Sequence, residues 1–161
     1  MRTTEEVLIL AREIAGAWDW ATEVTQPEVN RLDVQLRNPA DLVAIVTALR
    51  VKRLGYLAAI TGLDLGVEAG ELEALYHFCV GAAVITLRIK LNRGETAVAS
   101  LSELIPSAEP FERELREMYG VNITGLVAPD YLYLPDDWPT GVFPMRQDFD
   151  AQVLLSENGK R

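Results

Sequence analysis

The chain offers one imidazole and one thiol, His77 and Cys79, two residues apart. Histidine is the side chain that titrates near neutral pH without help, and a base beside a thiol is the minimum for a cysteine nucleophile. Both lie in the apolar run "ELEALYHFCV". Residues two apart on a strand share a face, but no third group is evident to orient the base, so a locally satisfied strand histidine is the plainer reading. A metal site is not signalled either, because His77 and Cys79 have no second ligand pair at a suitable spacing. A second group of candidates is Glu109, Glu112, Arg113, Glu114, Arg116 and Glu117. Paired carboxylates could do acid–base work, yet Glu109 with Arg113, Glu112 with Arg116, and Arg113 with Glu117 are all spaced i,i+4. That spacing makes a solvated ion-pair face or a polar docking surface, between which composition does not choose. Asp136, Asp137, Asp148 and Asp150 lack the spacing of a calcium loop and read as turn and capping acids. No glycine-rich phosphate loop, G-x-S-x-G elbow or H-E-x-x-H is present.

The elements that must position these groups follow an α+β order. Thr3 with Glu6 fits a capping box, and Val7, Leu8, Ala11, Ile14 and Ala15 fall on one helical face, with Gly16 as the expected stop. "NRLDVQLRN" alternates, with Leu32, Val34 and Leu36 on one side and Asp33 and Gln35 on the other, as in a half-buried strand; "WATEVTQ" before it is a candidate to pair with it. Asn38 as cap, Pro39 at the first position and Gly55 beyond the end bracket a second helix, with Leu42, Val46, Leu49 and Leu54 facing the core. Three strand runs follow, "YLAAITGLDL", "ELEALYHFCV" and "VITLRIKL", the last two joined by a tight hairpin at Gly81. Pro110, then Phe111, Leu115, Met118 and Tyr119 on one face, and finally Gly120 define a third helix. The expected fold is a small mixed or antiparallel sheet with helices packed on it, over residues 1–120.

At 161 residues with 49% hydrophobic content, the chain is long enough for one domain with a real core. A net charge of −9 argues against nucleic acid or an anionic bilayer as a direct partner, because both would repel it. No apolar run reaches the ~18 residues of a membrane span, and "MRTTEEVLIL" lacks the basic start of a signal peptide, so a soluble intracellular protein is expected.

Residues 121–161 break the pattern. Pro129, Pro135, Pro139 and Pro144 forbid a long helix or a central strand, yet Tyr131, Tyr133, Trp138, Phe143 and Phe149 are too apolar for a solvated chain. An extended arm that docks on another polypeptide satisfies both facts. Its expected anchors are the aromatic residues, with Arg113, Arg116 and Arg146 suited to carboxylate pairing at an interface and Asp148 as a polar contact.

The stretch "ERELREMYGVNITG" followed by "LYLPDDWPTGVFPMRQDF" resembles the signature of the 30-kDa subunit of respiratory complex I, the C subunit of NADH–quinone oxidoreductase. The equivalent subunit of membrane-bound energy-converting [NiFe] hydrogenases shares it. Glu112, Arg113, Glu114, Met118, Tyr119, Gly120 and Val121 match the first motif; Leu134 to Trp138, Pro144, Met145, Arg146, Asp148 and Phe149 match the second. The sequence departs where many members have His-Pro and paired arginines, keeping only Pro129 and Asp130 in "LVAPDYLYL", and Gln147 replaces the usual lysine.

The resemblance implies a non-catalytic structural subunit without cofactors of its own, in the hydrophilic arm on the cytoplasmic side, meeting the membrane only through the complex. Its implied partners are the large catalytic subunit and the small iron–sulfur subunit, with iron–sulfur clusters and a quinone or NiFe site in those neighbours. Glu112, Arg113, Arg116, Tyr131, Tyr133, Trp138, Phe143, Arg146, Asp148 and Phe149 are the expected interface. Glu117-Met118-Tyr119 and "DDWPTGVFP" look more like the hydrogenase branch. The alternative of another class is a small stand-alone enzyme using His77 and Cys79.

Overall fold

In the computed structural model, residues 2–93, 97–127 and 130–154 are described, so Pro129 lies outside them. Helix α1 (Thr4–Ala17) starts in the expected capping box, with Thr3 and Glu6 bonded reciprocally, and buries Val7, Leu8, Ala11, Ile14 and Ala15. It runs through Gly16, which can stay helical, and ends at Trp18; the reversal falls to Asp19 at φ +56°. Strands β1 (Ala21–Glu28) and β2 (Arg31–Leu36) pair antiparallel. Asn38 caps a 3₁₀ turn over Pro39–Asp41 that leads into α2 (Leu42–Val51), where Ile45 joins Leu42, Val46 and Leu49 in the core.

Strands β3 (Tyr56–Asp64), β4 (Glu71–Val80) and β5 (Ala83–Asn92) complete a five-stranded sheet of order β1-β2-β5-β4-β3. All neighbours are antiparallel except β2 and β5, which run parallel because α2 and two further strands intervene. Period-2 alternation sends Leu32 and Val34, Ile85, Leu87 and Ile89, and Ala74, Tyr76 and Phe78 to one face. Helix α1 packs there over β2 and β5, and α3 (Glu109–Tyr119) packs over β3. The approach of α3 is so close that a methyl group on Gly62 would overlap the Tyr119 ring. This is the α+β architecture read from the sequence.

The opposite face carries no helix but is not simply wet. Asp33, expected to face water, is 5% exposed. Arg31 donates to one of its oxygens at 2.7 Å, and Arg88 reaches the other at 3.4 Å while gripping Glu73 through two N–H groups at 2.9 and 2.7 Å. A buried carboxylate persists because it is paired and hydrogen-bonded.

Two short strands, β6 (Ala97–Ala99) and β7 (Asn122–Thr124), form a separate parallel pair. Three residues carry too little alternation to signal a strand just after Gly120. It pairs with residues upstream of α3, so the segment after Gly120 begins within the same packed unit, with Ile123 and Val98 both buried.

Candidate functional site

The site is built where α3 meets the segment that follows it. Gly120 terminates α3 in the left-handed region at φ +70°, and its bare Cα lies against the Phe143 ring, which a Cβ would overlap. Left-handed backbone favours glycine, and here the close approach requires it as well. The chain then returns over the helix. Glu117, 2% exposed, accepts N–H bonds from Leu132, Tyr133 and Leu134, which seats the start of the second motif. Arg113 and Arg116 both donate to the Asp130 carbonyl, at 3.0 and 3.3 Å.

The second motif is closed by four contacts. Trp138 Nε1 donates to the Val142 carbonyl at 2.8 Å, and its ring stacks on Phe149 at 6.4 Å. Arg146 donates to the Tyr119 carbonyl at 2.8 Å while its guanidinium lies 4.4 Å over the Phe143 ring. Burial pushes its pKa below the ordinary value, an effect that nearby Arg93 reinforces.

The far end is clipped to the turn after β3. Asp64, almost fully buried, accepts from Gly66 N at 2.9 Å, Gln147 N at 2.7 Å and the Arg93 guanidinium; Gln147 Nε2 returns a bond to the Asp64 carbonyl at 2.7 Å. Burial works against the charged form of Asp64, but those donors outweigh it and hold the carboxyl below its usual value. Arg93 also pairs with Asp148 at 3.0 Å and holds that carboxyl low.

Of the expected interface residues, Trp138, Phe143, Arg146, Asp148 and Phe149 make contacts within this chain, Arg113 and Arg116 bind the backbone at Asp130, and Tyr133 is exposed. Glu112 is completely buried, and its carboxylate accepts from Ser100 Oγ and Leu101 N, both at 2.6 Å, so it organises this chain instead of facing a partner. Burial raises its pKa against those two bonds. Of the expected α3 pairs, Glu109–Arg113 forms at 3.6 Å, while the carboxylates of Glu112 and Glu117 serve backbone N–H groups. Glu117, Asp64, Arg93 and Gln147 carry the clip, and sequence reasoning did not reach that role for any of them.

The alternative chemistry is poorly served. Both ring nitrogens of His77 are taken, by Thr61 Oγ1 at 3.0 Å and Thr86 Oγ1 at 3.1 Å, leaving none for Cys79. Burial and Arg31 depress the His77 pKa, with Asp33 opposing them. Among the described residues no group of three or more His, Cys, Asp or Glu side chains could hold a metal ion, and no helix is long and apolar enough to cross a membrane.

With this geometry in place, similarity decides the family. Residues 36–153 match the family described as respiratory-chain NADH dehydrogenase, 30 Kd subunit. The chain belongs to this family. The NADH-quinone oxidoreductase C subunit of Ruegeria pomeroyi is 31% identical over 150 residues, covering 90% of this chain and 72% of that protein. Its counterpart from Moorella thermoacetica is 36% identical over 119 residues, covering 71% and 78%. Formate hydrogenlyase subunit 5 of Escherichia coli K12 is 32% identical over 110 residues, 66% of this chain, and the match spans only 19% of that longer protein. In fold, the 30-kDa family chain is similar to one in the structure of the membrane-bound sulfane sulfur reductase, an archaeal respiratory membrane complex. That match has a TM-score of 0.71 at 22% identity and covers 95% of this chain and 91% of that one. A trypsin-resistant fragment of Nqo5 matches at a TM-score of 0.60 and 18% identity, covering 76% and 98%.

Proposed function

We propose that this chain is a non-catalytic structural subunit in the peripheral part of a membrane-bound complex I-like redox complex, on its cytoplasmic side. In this reading it binds the large catalytic subunit through the segment from Tyr131 to Phe149, beside the small iron–sulfur subunit. Iron–sulfur clusters, and the quinone or NiFe site, belong to those neighbours. The observation that carries the reading is how the segment is held. Its backbone and polar groups are tied to α3 and to Asp64, yet Leu132, Tyr133 and Met145 remain 39%, 60% and 56% exposed. A preorganised backbone presenting apolar side chains outward suits an interface, because little ordering entropy remains to be lost on binding.

Replacing Tyr133 by Ala and Met145 by Glu tests this without touching the internal clip. Expected is loss of co-purification with the co-expressed large subunit while the isolated chain melts as before. Retained assembly would refute the assignment of this surface. For the branch, Glu117-Met118-Tyr119 and the likeness to formate hydrogenlyase subunit 5 favour a hydrogenase-type complex, and the longer matches to NADH-quinone oxidoreductase subunits favour an NADH–quinone type. Two nickel-binding cysteine pairs in the large subunit would decide for the former, and their absence for the latter.

A further inference from the structure

We propose a second docking site, at the opposite end of β3 from the clip, that takes an acidic peptide segment of a partner protein. A cleft of about 530 Å³ opens there between the end of α2 and the β4–β5 hairpin. Arg50, Arg53, Tyr56 and Cys79 line it, with the small residues Gly55 and Gly81, and no carboxylate does. The floor is backbone at close approach: Gly55 is left-handed at φ +94°, and a Cβ there would lie 2.6 Å from the Cys79 carbonyl. Tyr56 is 67% exposed.

The charge at this end is anomalous for the chain. The protein carries −9 overall, yet Arg50, Lys52 and Arg53 follow one another at the close of α2, and Arg2 joins them by donating to the Lys52 carbonyl at 2.6 Å. A helix C-terminus attracts cations with the equivalent of about half a negative charge. Arg2 already serves a carbonyl at that terminus, so three more cations exceed what the helix needs. No ion pair engages Arg50, Lys52 or Arg53 among the described residues, whereas Arg31, Arg88 and Arg93 are all paired with carboxylates. Arg53 moreover occupies the left-handed position after the helix, at φ +54°, with Leu54 N bonded back to the Leu49 carbonyl. Glycine is the usual residue in such a cap, and here the position is taken by an arginine that lines the cleft.

Unpaired guanidiniums are suited to bidentate contact with side-chain carboxylates, and an exposed tyrosine beside them adds an apolar contact. A continuous anionic surface fits less well, because the acidic remainder of the chain would face it. Tyr56 and Asp64 bound a nine-residue strand, so the cleft lies roughly 26 Å from the Asp64 clip at ~3.3 Å per residue. The two surfaces can thus be occupied together.

The test uses the full chain and a fluorescein-labelled, C-terminally amidated hexaglutamate peptide. The protein's net charge repels this probe, so saturable binding has to come from a local basic site. Expected are saturable anisotropy, a loss of affinity of tenfold or more in the double variant Arg50→Glu, Arg53→Glu, and slower iodoacetamide alkylation of Cys79, the single cysteine, when peptide is bound. Both arginines are exposed, and a matching thermal melt confirms that the variant is folded. Absence of binding, equal affinity in the variant, or unchanged Cys79 alkylation would each overturn the proposal. So would tighter, arginine-dependent binding to phosphatidylglycerol vesicles than to the peptide, which would make the cleft a lipid contact.

Discussion

Replacing Glu117 by Ala should release the second motif from α3 while leaving the sheet intact. Its carboxylate receives Leu132 N at short range, Tyr133 N at 2.9 Å and Leu134 N at 3.4 Å, and the last is too long to contribute much. Hydrogen bonds to a charged group contribute about 1.5–3 kcal/mol each, so two hold residues 131–134 by about 3–6 kcal/mol. Even the lower figure corresponds to a drop of roughly 150-fold in the protection of the Leu132 and Tyr133 amides. The freed N–H groups can reach water, so the cost stays local and amides of β4 and β5 should keep their protection. Glu117→Gln retains one neutral acceptor and should fall between. Native-state hydrogen exchange reads all three proteins. The reasoning is refuted if Leu132 and Tyr133 exchange within threefold of wild type in Glu117→Ala, or if they exchange together with the strand amides, which would make the segment part of the global unfolding unit.

Three further outcomes are expected. Gly62→Ala places a methyl against Tyr119 and Leu115 and should cost about 1–3 kcal/mol of overpacking, whereas Gly16→Ala, with nothing within 4 Å, should gain about 0.5–1 kcal/mol; urea midpoints will show opposite signs. The Asp64 carboxyl is held below its ordinary 3.8, so its contribution is present above that pH and is lost as pH falls through the lower folded value. The urea stability gap between wild type and Asp64→Asn should therefore be widest near neutrality and close below about pH 4. Glu112→Gln should be tolerated within about 1 kcal/mol, since an amide can serve both Ser100 and Leu101, while Glu112→Ala should cost about 1–3 kcal/mol for the buried N–H it orphans, as measured by thermal melts.

The elements were legible wherever local chemistry specifies them. The Thr3–Glu6 box, the Asn38-Pro39 start and the strict alternation of Ile85 to Leu91 each carry their own signal, and each gave its helix or strand. The site was half legible. The aromatic residues and Arg146 stood out by composition, but the clip that fastens the segment joins groups far apart in sequence, with Asp64 and Gln147 separated by 83 positions. Glu112 could have been found: it precedes Leu115 by three and Tyr119 by seven, which puts it on the apolar face of α3. Ion-pair spacing drew attention away from that periodicity. Glu117 is different, because it lies off that face and is buried only by the chain that returns over it. Nothing in α3 itself could have shown it.

The parallel pairing of β2 with β5 also bears on how the protein is made. Arg31 pairs with Val84, so β2 must wait for its inner neighbour until about 50 more residues have been synthesised, roughly 3–10 s at 5–20 residues per second. Until then the N-terminal hairpin presents Leu32 and Val34 along an unpaired edge, the kind of surface that recruits the wrong strand. The sheet is therefore finished from its middle, and β5, the strand that closes it, sets the moment at which the nascent chain stops being an aggregation hazard.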